Sequence, residues 1–376
     1  MNCTSKRILA YDCARAWAII GMIFVNATKL MGTNSLKPWW ADTMITFITG
    51  RAAAVFVMLA GAGIVMAYDR ASDIAKPLLK TRLIIRASLL CMIGFLLKNV
   101  WNPDILHYYT AYIIGGVILL ERSTNQLKKL LGMLVLASMP ICALVTYDYE
   151  GGDIIGEIFD EGPLAVLVNY FFLSEHYPVL PWFCFFLVGM ILGRLERFPG
   201  KWRFYVIFAG SSLLLIAAEL LSALLNAETI TGRWFDIEMP EWRAFSLSEA
   251  FPVGPLFVFS AGASSLALIS FLRLLPERAR ASWALSPLVA FGRLSLTFYI
   301  THILVGHAFN QWIAHQHGKA SSNHTLFFAT VFILAGIVFA DRWMRHFRRG
   351  PLETAMDTLM GVLLNPKEGT RLQVDS

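Results

Sequence analysis

The run Leu9–Lys29, LAYDCARAWAIIGMIFVNATK, decides what kind of molecule this chain makes. Its length matches the about 20 helical residues needed to cross a hydrocarbon core of about 30 Å, yet it holds Asp12 and Arg15. A charge at the bilayer centre costs roughly 2.5–3.5 kcal/mol on insertion scales, so such residues face a protein interior or a wet cavity rather than lipid. The conflict recurs along the chain: Arg51 stands in the second apolar segment, His107 in the fourth, Glu219 in the seventh and His302 in the ninth. A passive anchor has no use for so many ionisable groups. The pattern implies a polytopic membrane protein with a working polar interior.

Working outward from the first run, apolar windows fall near 9–29, 45–67, 83–101, 105–120, 130–146, 180–193, 204–225, 251–273, 286–312 and 325–343. The expected fold is therefore an all-α integral membrane protein, a bundle of about ten transmembrane helices. Of its 376 residues, 56% are hydrophobic and only 15% charged, too apolar for a soluble protein of this size. The net charge of +6 does not imply nucleic acid. Of 32 Lys and Arg, 23 fall in segments assigned to one face, among them the alternate connections 68–82, 121–129 and 194–203, whereas 147–179 holds no Lys or Arg and seven acids. This asymmetry places both termini in the cytoplasm and the acidic loops outside. The stretch Pro163–Leu173 is too short to cross and reads as a re-entrant or interfacial segment. Residues 1–346 form one membrane domain, and 347–376 a cytoplasmic tail with an amphipathic stretch over 352–364. Arg348-Arg349-Gly350-Pro351 ends the last span, because Pro cannot continue a helix. The five cysteines show no metal spacing and read as packing residues; no cleavable signal peptide is evident.

Counting along each helix sorts the intramembrane polar residues into two layers. Asp12, Arg15, Arg86, Arg293 and Asp341 lie near the inner face; Asn26, Lys29, Lys37, Arg51, Asp104, His107, Glu219, His302 and His307 lie towards the outer one. Each has a bland reading beside the functional one. Asp12 and Arg15, three apart, suit a local ion pair. Arg86 and Arg293 suit snorkelling to headgroups, or a phosphate site made of several arginines. Asp104 suits a helix cap beside an interfacial His107, and His302 an interhelical hydrogen bond. Glu219 has no obvious partner in sequence. A metal site from the loop histidines His315, His317 and His324 is the weakest option, since their spacing is unspecific.

Four stretches, taken in order, resemble the transmembrane acyltransferase superfamily, in the bacterial inner-membrane branch related to heparan-alpha-glucosaminide N-acetyltransferase. They are RILAYDCARAWAIIGMIFVN (Arg7–Asn26), FITGRAAAVFVMLAGAG (Phe47–Gly63), DILHYYTAYIIGG (Asp104–Gly116) and FGRLSLTFYITH (Phe291–His302), and the late RRGPLE (Arg348–Glu353) also matches. The sequence departs from the family pattern at Ala16, where Gly is usual, and at Lys37, where the family has a catalytic His just ahead of a Trp matched by Trp40. The resemblance implies an enzyme moving an acyl group, acetyl first of all, from cytoplasmic acyl-CoA to an acceptor at the outer face. The acceptor classes are a sugar, a glycan or a small amine or alcohol. On this reading Asn26, Lys37, His107 and His302 are the catalytic candidates. Trp40, Arg51, Asp104, Glu219 and His307 would line the acceptor site, and Asp12, Arg15, Arg86 and Arg293 would hold acyl-CoA. No metal is called for, the lipid bilayer is the obligatory partner, and homo-oligomers stay open. The rival readings are a transporter or exporter of a small solute or lipid, and a degenerate, non-catalytic family member. The absence of evident Gly- or Pro-broken helices in the sequence argues against transport.

Overall fold

The computed structural model describes residues 8–33, 36–149, 177–198, 200–225, 248–250, 253–280, 282 and 285–364. Among the described residues every regular element is helical. In chain order they are α1 (Leu9–Leu30), α2 (Trp39–Ile48), α3 (Arg51–Arg70), α4 (Lys76–Lys98), α5 (Leu106–Leu119), α6 (Thr124–Tyr149), α7 (Val179–Leu195), α8 (Trp202–Leu225), α9 (Pro255–Leu274), the single turn α10 (Glu277–Arg280), α11 (Ser286–Arg293), α12 (Ser295–His317), α13 (Ser322–His346) and α14 (Pro351–Leu364). A helix forms in each apolar window. Leu9–Leu30, Trp39–Arg70, Trp202–Leu225, Pro255–Leu274 and Ser322–His346 are five segments long and apolar enough to cross a membrane, and α11 with α12 makes a sixth if that bent pair is one span. The Pro163–Leu173 segment, and the acidic loops over 150–176 and 226–247, lie outside the described residues.

Local chemistry sets the boundaries. Pro77 opens α4 and Pro287 opens α11, each at a first-turn position where a missing N–H costs nothing. Ser321 and His324 form a reciprocal cap at the start of α13, and Gly318, at φ +80°, ends α12. The last long helix already ends at His346, where Phe347 turns extended, and Pro351 begins α14.

Two expectations need correction. The second span is preceded by a helix of its own: α2 covers Trp39–Ile48, and the chain breaks at Thr49-Gly50, where Gly50 takes φ +72°. The ninth span is not one straight helix. It breaks at Leu294, and α11 and α12 meet at 76°. No Gly or Pro sits at Leu294 to advertise this. The first N–H groups of the second half, which have no partner within the helix, are answered from far along the chain by Glu353, and sequence alone does not display such a partner.

The chain divides into two compact units, residues 1–52 with 268–376, and residues 53–267. In the first, α1 packs against α2, α11, α12 and α13. Ala10, Ala14, Ala16, Ala18 and Ala27 are buried along it, so the neighbouring backbones approach closely, as membrane helices do where small residues meet. The tightest approach is at Gly292 of α11, where a methyl group would overlap the Asp12 carbonyl of α1. In the second unit α4 pairs with α5, and α7 packs on α5 and α6. Gly189 and Gly193 of α7 lie directly on the carbonyls of Met58 and Ala62 in α3. On the polar end of this unit Arg197 forks onto Asp69, and Glu121 accepts from Lys80 at 2.5 Å and from Tyr68 at 3.2 Å.

Candidate active site

The first unit holds a buried polar pair between two remote stretches. Asn26 lies near the end of α1 and His302 in the second turn of α12, and Asn26 Nδ2 stands 3.1 Å from His302 Nε2. His302 Nδ1 lies 2.9 Å from the Phe298 carbonyl one turn back. A carbonyl only accepts, so in the neutral ring Nδ1 carries the proton. Nε2 is then the lone-pair nitrogen, and the Asn26 amide donates to it. His302 is fully buried and Asn26 only 8% exposed. The result is an oriented imidazole of fixed tautomer, with its basic nitrogen turned to a side chain that can donate or withdraw.

The opposite end of α1 carries the second polar group. Asp12 and Asn26 are 14 positions apart, about 21 Å along a helix. Arg15 Nη1 reaches Asp12 Oδ1 at 2.7 Å, which is the local ion pair that the spacing suggested. Arg293 ends α11, next to the Gly292 that touches Asp12, and its Nη2 donates to the Arg348 carbonyl at 2.7 Å. Beside it Glu353 of α14 caps the broken span. One carboxylate oxygen accepts from the backbone N–H groups of Leu296 and Thr297 at 2.8 and 3.2 Å, and the other from Thr297 Oγ1 at 2.6 Å. A negative group at a helix N-terminus meets both the unsatisfied donors and the positive end of the dipole. Thus α1 and the α11–α12 pair together carry one polar group at each end.

The remaining candidates are placed as follows. In the second unit Asp104 and His107 are both buried, with Asp104 Oδ2 accepting from the Leu106 and His107 N–H groups and standing 3.1 Å from His107 Nδ1. Capping is therefore present, and His107 is buried rather than interfacial, under Phe95 and Tyr108. Gly94 of α4 makes this possible, since a methyl there would collide with Asp104 and His107. Glu219 does have partners that its own neighbourhood in the sequence did not reveal, the hydroxyls of Ser248 and Ser260. Arg86 is exposed on α4. In the first unit Arg51 is buried, donates to the Phe47 carbonyl and stacks its guanidinium 4.3 Å over the Phe47 ring. Lys37 and Trp40 are exposed at the start of α2, and His307 sits beside Gln311 on α12.

Comparison with known families is decisive at this point. The family described as "Heparan-alpha-glucosaminide N-acetyltransferase, catalytic" matches residues 7–213, more than half of the chain. The chain belongs to that family. A second family, described as a protein of unknown function (DUF418), matches residues 190–361. The chain is also similar to the uncharacterized protein YxaH of Bacillus subtilis (strain 168), 23% identical over 417 aligned positions that cover 93% of each chain.

For a member of the heparan-alpha-glucosaminide N-acetyltransferase family, the two matched regions divide the site in a telling way. Asn26 and Asp12 fall in the first region, and Arg293, His302 and Glu353 in the second. The Asn26–His302 pair therefore joins both. Reading the sequence missed the work of Glu353, although its motif RRGPLE was visible. The signal was an acid two positions after Pro351, on a short amphipathic helix with no evident job for it.

Proposed function

We propose that this protein is an acyltransferase of the bacterial inner membrane, moving an acyl group, acetyl first of all, from cytoplasmic acyl-CoA to an amine or hydroxyl acceptor at the outer face. The observation that carries this reading is the buried Asn26–His302 pair, with Nε2 of His302 as its lone-pair nitrogen. The thioester of acyl-CoA supplies an activated carbonyl carbon. His302 Nε2 takes the proton of the acceptor as the acceptor's nitrogen or oxygen bonds to that carbon. Once the C–S bond breaks, His302 returns the proton to the departing thiolate. Asn26 Nδ2, displaced from Nε2 by the acceptor, donates to the carbonyl oxygen as negative charge gathers there. At the other end of α1, Arg15 and Arg293 stand on adjoining helices and suit phosphate groups, although Asp12 already answers part of the Arg15 charge. Arg86 and the Asp104–His107 pair belong to the second unit, and His107 is the alternative base.

A transport reading is favoured by one observation, the bent α11–α12 span, because broken helices mark the binding sites of many transporters. The experiment that separates the two is binding and turnover of acetyl-CoA by the purified protein in detergent. The enzyme reading expects calorimetric binding of acetyl-CoA, weakened by Arg293→Gln, and release of CoA in the presence of a panel of amines and sugars. His302→Ala and Asn26→Ala should then lose about 10²–10⁴-fold in turnover while still binding acetyl-CoA. Lys37→Ala, at an exposed position, should change little. Wild-type protein that binds no acetyl-CoA overturns the enzyme reading; full turnover by His302→Ala moves the base to His107.

A further inference from the structure

The outward face of α13 carries a groove of about 650 Å³ between two of its own ridges. One ridge is Leu334, Val338, Arg342 and His346; the other is Ala335, Phe339, Trp343 and Phe347. The second is an aromatic ladder, with Trp343 stacked 5.4 Å from Phe339 and 4.2 Å from Phe347. The Trp343 indole N–H is held by the Arg349 carbonyl at 2.8 Å, which fixes that wall. From Leu334 to Arg342 the groove runs about 12 Å, close to the roughly 15 Å hydrocarbon depth of one leaflet. Its upper walls are apolar and exposed, Leu334 to 59% and Val338 to 52%. Its lower end is basic.

Among the described residues, the acids near that end are already engaged elsewhere. Asp341 is taken by Arg345 and Asp357 by Arg349, and Glu353 is committed to the start of α12. Among the described residues neither Arg342 nor Arg348 has an acidic partner. A second copy of the chain fits poorly here. Membrane proteins of one orientation pair about an axis along the membrane normal, which sets Arg342 against Arg342. Only Ala335 among the lining residues is small, where a helix partner would favour several.

We propose that this groove binds an anionic phospholipid of the leaflet at the Arg342 end, with an acyl chain along Leu334 and Val338 and the phosphodiester on Arg342 and His346. The test is native mass spectrometry of the full-length protein in detergent, titrated with phosphatidylglycerol and, separately, with phosphatidylcholine of the same chains. The first phosphatidylglycerol molecule should bind about 5-fold tighter than phosphatidylcholine, the scale of one Arg near an anionic surface. Arg342→Gln should erase that preference. Arg345→Gln, whose charge Asp341 already answers, should keep it. Val338→Trp fills the groove and should lower binding of both lipids. Equal affinity for the two lipids, or an unchanged preference in Arg342→Gln, overturns the proposal. So does full competition by soluble glycerol phosphate, which would mean a headgroup site without the groove. A dimer lost on Val338→Trp would assign the groove to a second copy instead. None of these readouts depends on acyl transfer.

Discussion

Glu353 is the residue on which the geometry of the broken span should depend most. Its carboxylate accepts from two backbone N–H groups and one hydroxyl at the start of α12. Hydrogen bonds to a charged group contribute about 1.5–3 kcal/mol each, and an acid at a helix N-terminus about 0.3–2 kcal/mol more. Glu353 is partly exposed, so water replaces some of what is lost, and Glu353→Ala should cost about 2–4 kcal/mol rather than the full sum. Glu353→Gln keeps the shape and one acceptor but loses the charge, and should cost roughly half as much. His302 lies seven positions after the first residue of α12, so fraying of that end shifts the ring relative to Asn26 before the protein unfolds. The assay pairs apparent thermal stability in detergent with acetyl-CoA turnover. Both variants should lose turnover at temperatures where they remain folded, Ala more than Gln. Wild-type stability and turnover in Glu353→Ala would refute the reasoning, for then the break needs no cap from α14.

Gly292→Ala sets two effects against each other. Alanine favours an exposed helix by about 1 kcal/mol, but here its methyl group meets the Asp12 carbonyl, which cannot yield without parting α11 from α1. The clash should win by about 1–3 kcal/mol, read as a lower detergent melting temperature, whereas Gly132→Ala, with open space around it, should be neutral or slightly stabilising. On the polar end of the second unit, the hydrogen bond from Lys80, and then that from Tyr68, hold the Glu121 carboxyl below the usual carboxylate range. Its folded form is thus favoured above the unfolded carboxylate range, and that contribution is lost as pH falls through the depressed value. The pair is exposed, so raising salt at neutral pH should remove the difference between wild type and Glu121→Gln; a difference that persists in high salt speaks against a surface ion pair.

The parts of this fold that sequence shows are those that depend on local order. Apolar windows of the right length became helices, Pro351 fell at a helix start, and the Asp12–Arg15 spacing gave an ion pair. The Asn26–His302 contact was only implied, through depth counting that put both residues in the outer layer. What stayed hidden is what long-range pairing decides. Leu294 breaks a span without a breaker residue, because a carboxylate 59 positions away supplies the missing partner. Glu219 looked alone because its serines come from elsewhere in the chain.

The break has a further consequence for how the site works. A continuous helix through Leu294 would tie the depth of His302 rigidly to that of Arg293. A bend of 76° held by a side chain lets the two halves be set separately, α11 against α1 through Gly292 and α12 through Glu353. Arg293 then follows the Asp12 end of α1, and His302 follows Asn26. An anion drawn to Arg293 would act on the same few residues, Leu294 to Thr297, that orient the buried imidazole. Binding of acetyl-CoA should therefore alter hydrogen exchange at the Leu296 and Thr297 amides in wild type, and Glu353→Ala should raise their exchange before any ligand is added. Unchanged exchange at those amides in both experiments would mean that the two ends of α1 operate independently.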